Sequence, residues 1–239
     1  YTYDRADQAI GQVIGGSTKT FSYDRYGNLL QSADANSAFT TYAYDEASRL
    51  TSITPPGGGV VGFTLDALDR QATRAVAGSG TTDTYGYLDA SETAWQTGAG
   101  SVTTSLLDAD GTGLAVKTGG TVSFLVFDLH GSVAALCTTT GFTDTYRYDG
   151  FGSQIANSGT VTNPFRYRGL RNIGADSLTG ALLDMGARDY SPQLGAFTQE
   201  DSVQGGAANP ATMNRFLYAL ANPATLVDPD GHSPMAACD

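Results

Sequence analysis

Phe21-Ser22-Tyr23-Asp24-Arg25-Tyr26-Gly27-Asn28-Leu29-Leu30-Gln31 is the stretch that decides the fold. Phe21 and Tyr23, two positions apart, share one face of a strand, Asp24 opens a turn, Gly27 closes it, and a second strand leaves at Asn28. In such a turn the Asp carboxylate accepts backbone N–H groups, and glycine takes the positive φ that a tight reversal demands. The eleven residues therefore read as one β-hairpin. Their opening recurs along the chain: Tyr1-Thr2-Tyr3-Asp4, Phe21-Ser22-Tyr23-Asp24, Tyr42-Ala43-Tyr44-Asp45, Phe63-Thr64-Leu65-Asp66, Tyr85-Gly86-Tyr87-Leu88-Asp89, Ser105-Leu106-Leu107-Asp108, Leu125-Val126-Phe127-Asp128 and Tyr146-Arg147-Tyr148-Asp149. Counted from Asp to Asp, the steps are 20, 21, 21, 23, 19, 20 and 21 residues. A period this regular marks a repeat architecture. A lone hairpin cannot bury its aromatic face, so successive units are expected to pair edge to edge into one curved sheet, with Tyr above Tyr in cross-strand ladders.

Composition agrees with an all-β chain. Only 15% of the 239 residues are charged, while Gly, Thr, Ser and Tyr abound. A formal charge of −11 disfavours nucleic acid and anionic membrane surfaces as partners. Cys137 and Cys238 are too few for a disulfide framework, and with only His130 and His232 no zinc-like cluster forms, so neither metal nor cofactor is expected. No apolar run is long enough to span a membrane as a helix. The chain opens inside a motif and without a leader, which reads as a fragment whose localisation signals fall outside it. Its lysine-poor, Tyr/Thr/Gly-rich surface suits a secreted or cell-surface protein. Pro55-Pro56-Gly57-Gly58-Gly59 and Ala77-Gly78-Ser79-Gly80 read as turns between units, and Asn209 to Ala221 as a short helix led by Pro210. Asp108-Ala109-Asp110-Gly111 lacks the ligand order of a calcium loop.

The last third carries a second signature. Phe165-Arg166-Tyr167-Arg168-Gly169 is followed by Gly186-Ala187-Arg188-Asp189-Tyr190-Ser191-Pro192, then by Gly195-Ala196-Phe197-Thr198-Gln199-Glu200-Asp201, and finally by Asn222-Pro223-Ala224-Thr225-Leu226-Val227-Asp228-Pro229-Asp230-Gly231. This order resembles the Rhs-repeat-associated core domain that ends YD-repeat proteins, among them polymorphic Rhs toxins and the C components of insecticidal toxin complexes. The resemblance implies a shell-like spiral of hairpins (1–160) continuous with an Rhs-associated core (161–239). Eight repeats are few for a closed container, so a small barrel-like spiral or part of a larger wall is expected. The resemblance also implies an aspartyl autoprotease cutting just after the closing signature, a toxin or effector cargo following in cis, and a delivery or secretion machinery as partner.

Carried over residue by residue, Arg188 with Tyr190 matches the family's Arg-x-Tyr segment, Asp201 lies thirteen residues on, and the signature runs from Pro223 through Asp228 and Pro229 to Gly231. The chain departs from the family at Ser202, where Pro is usual, and at His232, where Leu is common. Peptide hydrolysis by carboxylates needs one group to activate water and a second, protonated, to donate to the leaving amine. Two acids in a dry pocket divide those roles because both cannot ionise cheaply. Asp201 and Asp228 are the candidate pair; Asp230 is a second candidate beside Asp228, and Arg188 would orient a carboxylate or stabilise an oxyanion. His232 as a general base competes with a merely solvated loop histidine. The Asp residues of the hairpins read as turn formers, since eight carboxylates at matching places suit caps better than catalysts. Two further readings stand beside self-cleavage. One is a non-catalytic module of a secreted fibre or cell-surface wall; the other is a carbohydrate-binding surface built on the Tyr-rich faces.

Overall fold

The computed structural model describes residues 1–36, 38–80, 82–87, 93–98, 101–107, 113–161, 163–169 and 182–236. The turns at Asp89 and Asp108, the Asp108–Gly111 loop and Cys238 lie outside the described residues. Among those described, sixteen strands succeed one another in chain order through one antiparallel sheet, from Thr2–Tyr3 to Gln154–Ser158. The sheet coils without closing, as an open wall. Each hairpin forms as its sequence requires. Strand Ser17–Tyr23 pairs with Leu29–Asp34, setting Phe21 opposite Ser32 and Ser22 opposite Gln31, and the register shifts between Ser22 and Tyr23. The same shift falls between Ala43 and Tyr44, Thr64 and Leu65, Val126 and Phe127, and Arg147 and Tyr148, each time just before the Asp. A bulge at that place adds local twist, and repeating it every second strand curves the wall.

The turn carboxylate does what its position predicts. Asp24 Oδ1 accepts the N–H groups of Tyr26 at 2.8 Å and Asn28 at 2.9 Å. Asp4, Asp45, Asp66, Asp128 and Asp149 make the same pair of bonds to the second and fourth residues after them. So firm a turn forces the third residue to positive φ even where it is not glycine, at Asp7, Ser48 and Asp69. Gly152 is glycine for a further reason: a Cβ there would lie 2.6 Å from the Tyr167 ring, which packs onto the turn from inside.

One face of the wall is apolar and buried, with Leu29, Leu50, Ile53, Val61, Tyr85, Val116, Val133, Leu136 and Tyr146 all below one-tenth exposed. Among the described residues, the rings of Tyr23 and Tyr148 go to the core rather than laddering onto tyrosines of neighbouring repeats. Successive YD strands are separated by the second strand of each hairpin, so their rings stand two strand spacings, about 10 Å, apart. Tyr23 meets Phe216 edge-on, and Tyr148 lies tilted on Tyr167.

The segment after the wall folds into its concave side. Short strands Leu183–Asp184, Asp189–Ser191 and Ala196–Phe197 form one small sheet, and Leu226–Val227 pairs with Met235–Ala236 in another. Tyr167, Leu183, Met185, Tyr190, Phe197, Tyr218 and Ala219 make its buried cluster. Leu182 packs among Leu50, Ile53, Val61 and Phe63 of the wall, and Leu194 among Ala9, Phe21 and Leu29. Both ends of the wall are tied to this core: Tyr1 Oη donates to Leu194 O at 3.0 Å, and Tyr190 Oη to Phe151 O at 2.7 Å. The helix expected over Asn209 to Ala221 is absent. Two 3-10 turns, Pro210–Met213 and Tyr218–Ala221, flank an extended Asn214, and Ala219 and Leu220 have positive φ. The backbone between them pairs with the core strand rather than with itself, Phe197 N–H donating to Phe216 O at 3.0 Å while Leu217 bridges Ala196.

Candidate active site

Arg188 enters on the turn between Leu183–Asp184 and Asp189–Ser191, a tight connection in which Gly186 has φ 80° and Met185 N–H bonds to Arg188 O. The turn aims the side chain inward, where it is 5% exposed. Its guanidinium stacks on Phe197, 3.6 Å from the ring centroid. From there it makes four polar contacts. Nη1 donates to Arg215 O at 2.8 Å, Nε donates to Gly231 O, and Nη2 lies 2.9 Å from Asp201 Oδ2 and 3.6 Å from Asp228 Oδ2. Burial pulls the guanidinium below its ordinary value, opposed by Asp201, Asp228 and Asp230.

Asp201 lies four residues past Ala196–Phe197 and is 7% exposed. Its segment is pinned by Arg215, whose Nη1 donates to Asp201 O at 2.7 Å and which also pairs with Glu200, while Asp201 N–H bonds to Arg215 O. The carboxylate is held on every side: Val203 N–H at 2.9 Å and His232 Nδ1 at 2.7 Å on Oδ1, Arg188 on Oδ2.

Asp228 sits at the end of Leu226–Val227 and is 2% exposed. Burial raises its carboxyl to about 6, reinforced by a hydrogen bond with Asp230 and opposed by Arg188. Asp230 goes the other way. Its slight burial pushes it up, but the backbone N–H groups of His232 and Ser233 outweigh that and hold it below the usual carboxylate value. The two acids of the closing signature are thus split into a proton holder and an anion.

The tail makes a hairpin with the signature, Val227 opposite Met235, so residues 228–234 loop back across Arg188 and Asp201. Within this loop Ser233 N–H lies 3.1 Å from Asp228 Oδ1. Gly231 makes the passage feasible: with φ 75°, a Cβ there would come within 2.8 Å of Met185 O and 3.0 Å of Arg188 N. A cleft of about 280 Å³, bounded by Arg49, Phe63, Asp184, Arg188 and Gln199, opens between wall and site.

The sequence-predicted Arg188, Asp201 and Asp228 therefore converge around one guanidinium nitrogen, and Asp230 stands beside them without touching Arg188 directly by any described ion pair. Sequence reasoning missed Arg215, which gives no motif, and the contact of His232 with Asp201. The departure at position 232 was its one signal.

The RHS Repeat family model matches residues 23–60 and 44–82. The chain is 28% identical over 97% of its length to the tRNA3(Ser)-specific nuclease WapA of Bacillus spizizenii and, equally, to the tRNA nuclease WapA of Bacillus subtilis strain 168. It spans 10% of the length of each. In fold it is similar to crystal structures of TcdB2-TccC3-Cdc42 (TM-score 0.63, 16% identity) and TcdB2-TccC3 (TM-score 0.62, 15% identity). These likenesses cover 97% and 90% of this chain, but 15% and 14% of those chains. The hairpins that the repeat model matches, the antiparallel wall and the similarity across nearly the whole sequence agree: the chain carries RHS repeats over residues 23–82 and is similar to Rhs/YD-repeat proteins along almost all of its length.

Proposed function

We propose that this shell-like Rhs/YD-repeat scaffold cuts its own backbone once, between His232 and Ser233, through an aspartyl site made by Arg188, Asp201 and Asp228. The observation that carries the reading is the looped tail: a peptide of the chain itself lies across two buried carboxylates and a buried arginine, with Ser233 N–H 3.1 Å from Asp228 Oδ1. Asp228, raised to about 6, is suited to hold the proton that the leaving Ser233 nitrogen needs. Asp201 takes the proton of a water entering from the cleft as its oxygen attacks the His232 carbonyl carbon. The C–N bond then breaks, leaving a carboxyl on His232 and an amine on Ser233. Arg188, by gripping Gly231 O, fixes the peptide one residue upstream and balances the developing charge.

Residues 1–160 are the wall and 161–239 the core that carries the site. A toxin or effector joined downstream in the parent chain would be the cargo, freed from covalent attachment and secreted or displayed at the cell surface with the help of a delivery machinery. Likeness to nucleases in WapA and to toxin-complex components supports that assignment. A sugar-binding role for the repeat aromatics is less well supported, since Tyr85 and Tyr146 are buried.

Intact mass of the purified chain tests the proposal. Loss of the seven residues Ser233 to Asp239 is expected, and it is abolished in Asp201→Asn. Cleavage should speed up roughly tenfold per pH unit as pH falls from 8 toward 6, as Asp228 gains its proton. A homogeneous full-length product across that range would overturn self-cleavage in favour of a purely structural module.

A further inference from the structure

We infer that His232 is a positioning residue of this site: its imidazole, hydrogen-bonded to Asp201, seats the residue whose carbonyl is attacked. The inference rests on the self-cleavage reading for its catalytic consequence, but the contact itself is a separate matter of geometry. His232 Nδ1 lies 2.7 Å from Asp201 Oδ1, a carboxylate thirty-one residues away in sequence and almost fully buried. Asp201 is ion-paired to Arg188 and accepts from Val203 N–H, so in the resting site both of its oxygens are acceptors, and the imidazole carries its hydrogen on Nδ1. Free neutral imidazole side chains prefer the hydrogen on Nε2; the opposite tautomer is a mark of this bond.

The other anchors of the tail are all to main chain. Arg188 holds Gly231 O, Asp230 accepts from His232 N and Ser233 N, and Asp228 accepts from Ser233 N. They fix the peptide before and after residue 232. Among the described residues, the imidazole is what ties the side chain of residue 232 to the acid expected to activate water. An aliphatic residue in its place would leave Asp201 Oδ1 to Val203 N–H alone and let the scissile carbonyl turn away from the acids. The site thus selects, at the position before the cut, a side chain with a short, planar N–H donor. Asparagine meets that need, because its Nδ2 reaches about as far from the backbone as Nδ1 of histidine.

Two measurements on the full chain test this. Cleavage time courses by intact mass are expected to slow roughly 10- to 100-fold in His232→Ala, the usual cost of losing a hydrogen bond to a charged group, with most of that rate restored in His232→Asn. A merely structural role would leave Ala and Asn alike. An Ala variant cutting at the unaltered rate, or an Asn variant as slow as Ala, overturns the inference. The second readout does not need cleavage. In Asp228→Asn, which keeps the tail attached, imidazole ¹⁵N spectra at pH 8 contain only two histidines, and the exposed His130 serves as reference. His232 is expected to show a protonated Nδ1. An Nε2-protonated ring like that of His130 overturns the anchor whatever the cleavage result, whereas a protonated Nδ1 in a wild-type chain that never cuts overturns the self-cleavage reading and upholds the contact.

Discussion

Replacing Asp228 by Asn should make the protein more stable while silencing the cut, and the size of the gain comes from the site. Asp228 is 2% exposed, and its carboxyl is raised from 3.8 to about 6. The folded state therefore binds this proton more tightly than the unfolded chain does. Stability from the group is fully present below about pH 4 and is lost as pH rises through about 6. At 1.36 kcal/mol per pH unit, a shift of roughly two units costs the native state about 3 kcal/mol once both states are ionised. About half of that cost is present at pH 5 and nearly all of it at pH 8. Asn removes the charge but keeps an oxygen where Ser233 N–H now bonds at 3.1 Å, so little is lost in exchange beyond the longer 3.6 Å contact with Arg188. The assay is urea unfolding of both proteins at pH 5 and pH 8, with wild type kept intact by Asp201→Asn in both backgrounds. The variant's advantage should widen by roughly 1–2 kcal/mol between the two pH values. A difference that is flat with pH, or a variant less stable at pH 8, would refute the claim that Asp228 is the buried, proton-holding acid.

Two further outcomes are expected from the geometry. Gly231→Ala must place a Cβ 2.8 Å from Met185 O at φ 75°, so it should destabilise the core by about 1–3 kcal/mol in urea titrations and abolish cleavage in intact-mass assays, with the far-ultraviolet dichroism of the wall unchanged. Asp128→Ala strips the acceptor from His130 N–H and from the buried Ser132 N–H, and should cost about 1–2 kcal/mol, with faster hydrogen exchange confined to that turn.

The wall was legible in the sequence because each of its elements is local. Tyr23, Asp24 and Gly27 fall within one turn's reach, and a carboxylate that bonds the second and fourth N–H groups after it needs nothing from elsewhere in the chain. Period then dictates the rest, since identical hairpins with one apolar face can only stack in order. Arg188, Asp201 and Asp228 were legible as candidates by their place in a recognisable order of motifs, and the split between Asp228 and Asp230 was not, because it depends on which of the two the core buries. The segment from Asn209 to Ala221 looked helical because local propensity was the only guide. Its backbone was claimed by Phe197 and Ala196, and no sequence window contains that competition. Tertiary structure alone decided that the tail would double back through Gly231, that Arg215 would fasten Asp201, and that His232 would meet a carboxylate thirty-one residues away. Hairpins are specified by neighbours along the chain; a site assembled from three turns and a tail is specified by which of them a common core draws out of water.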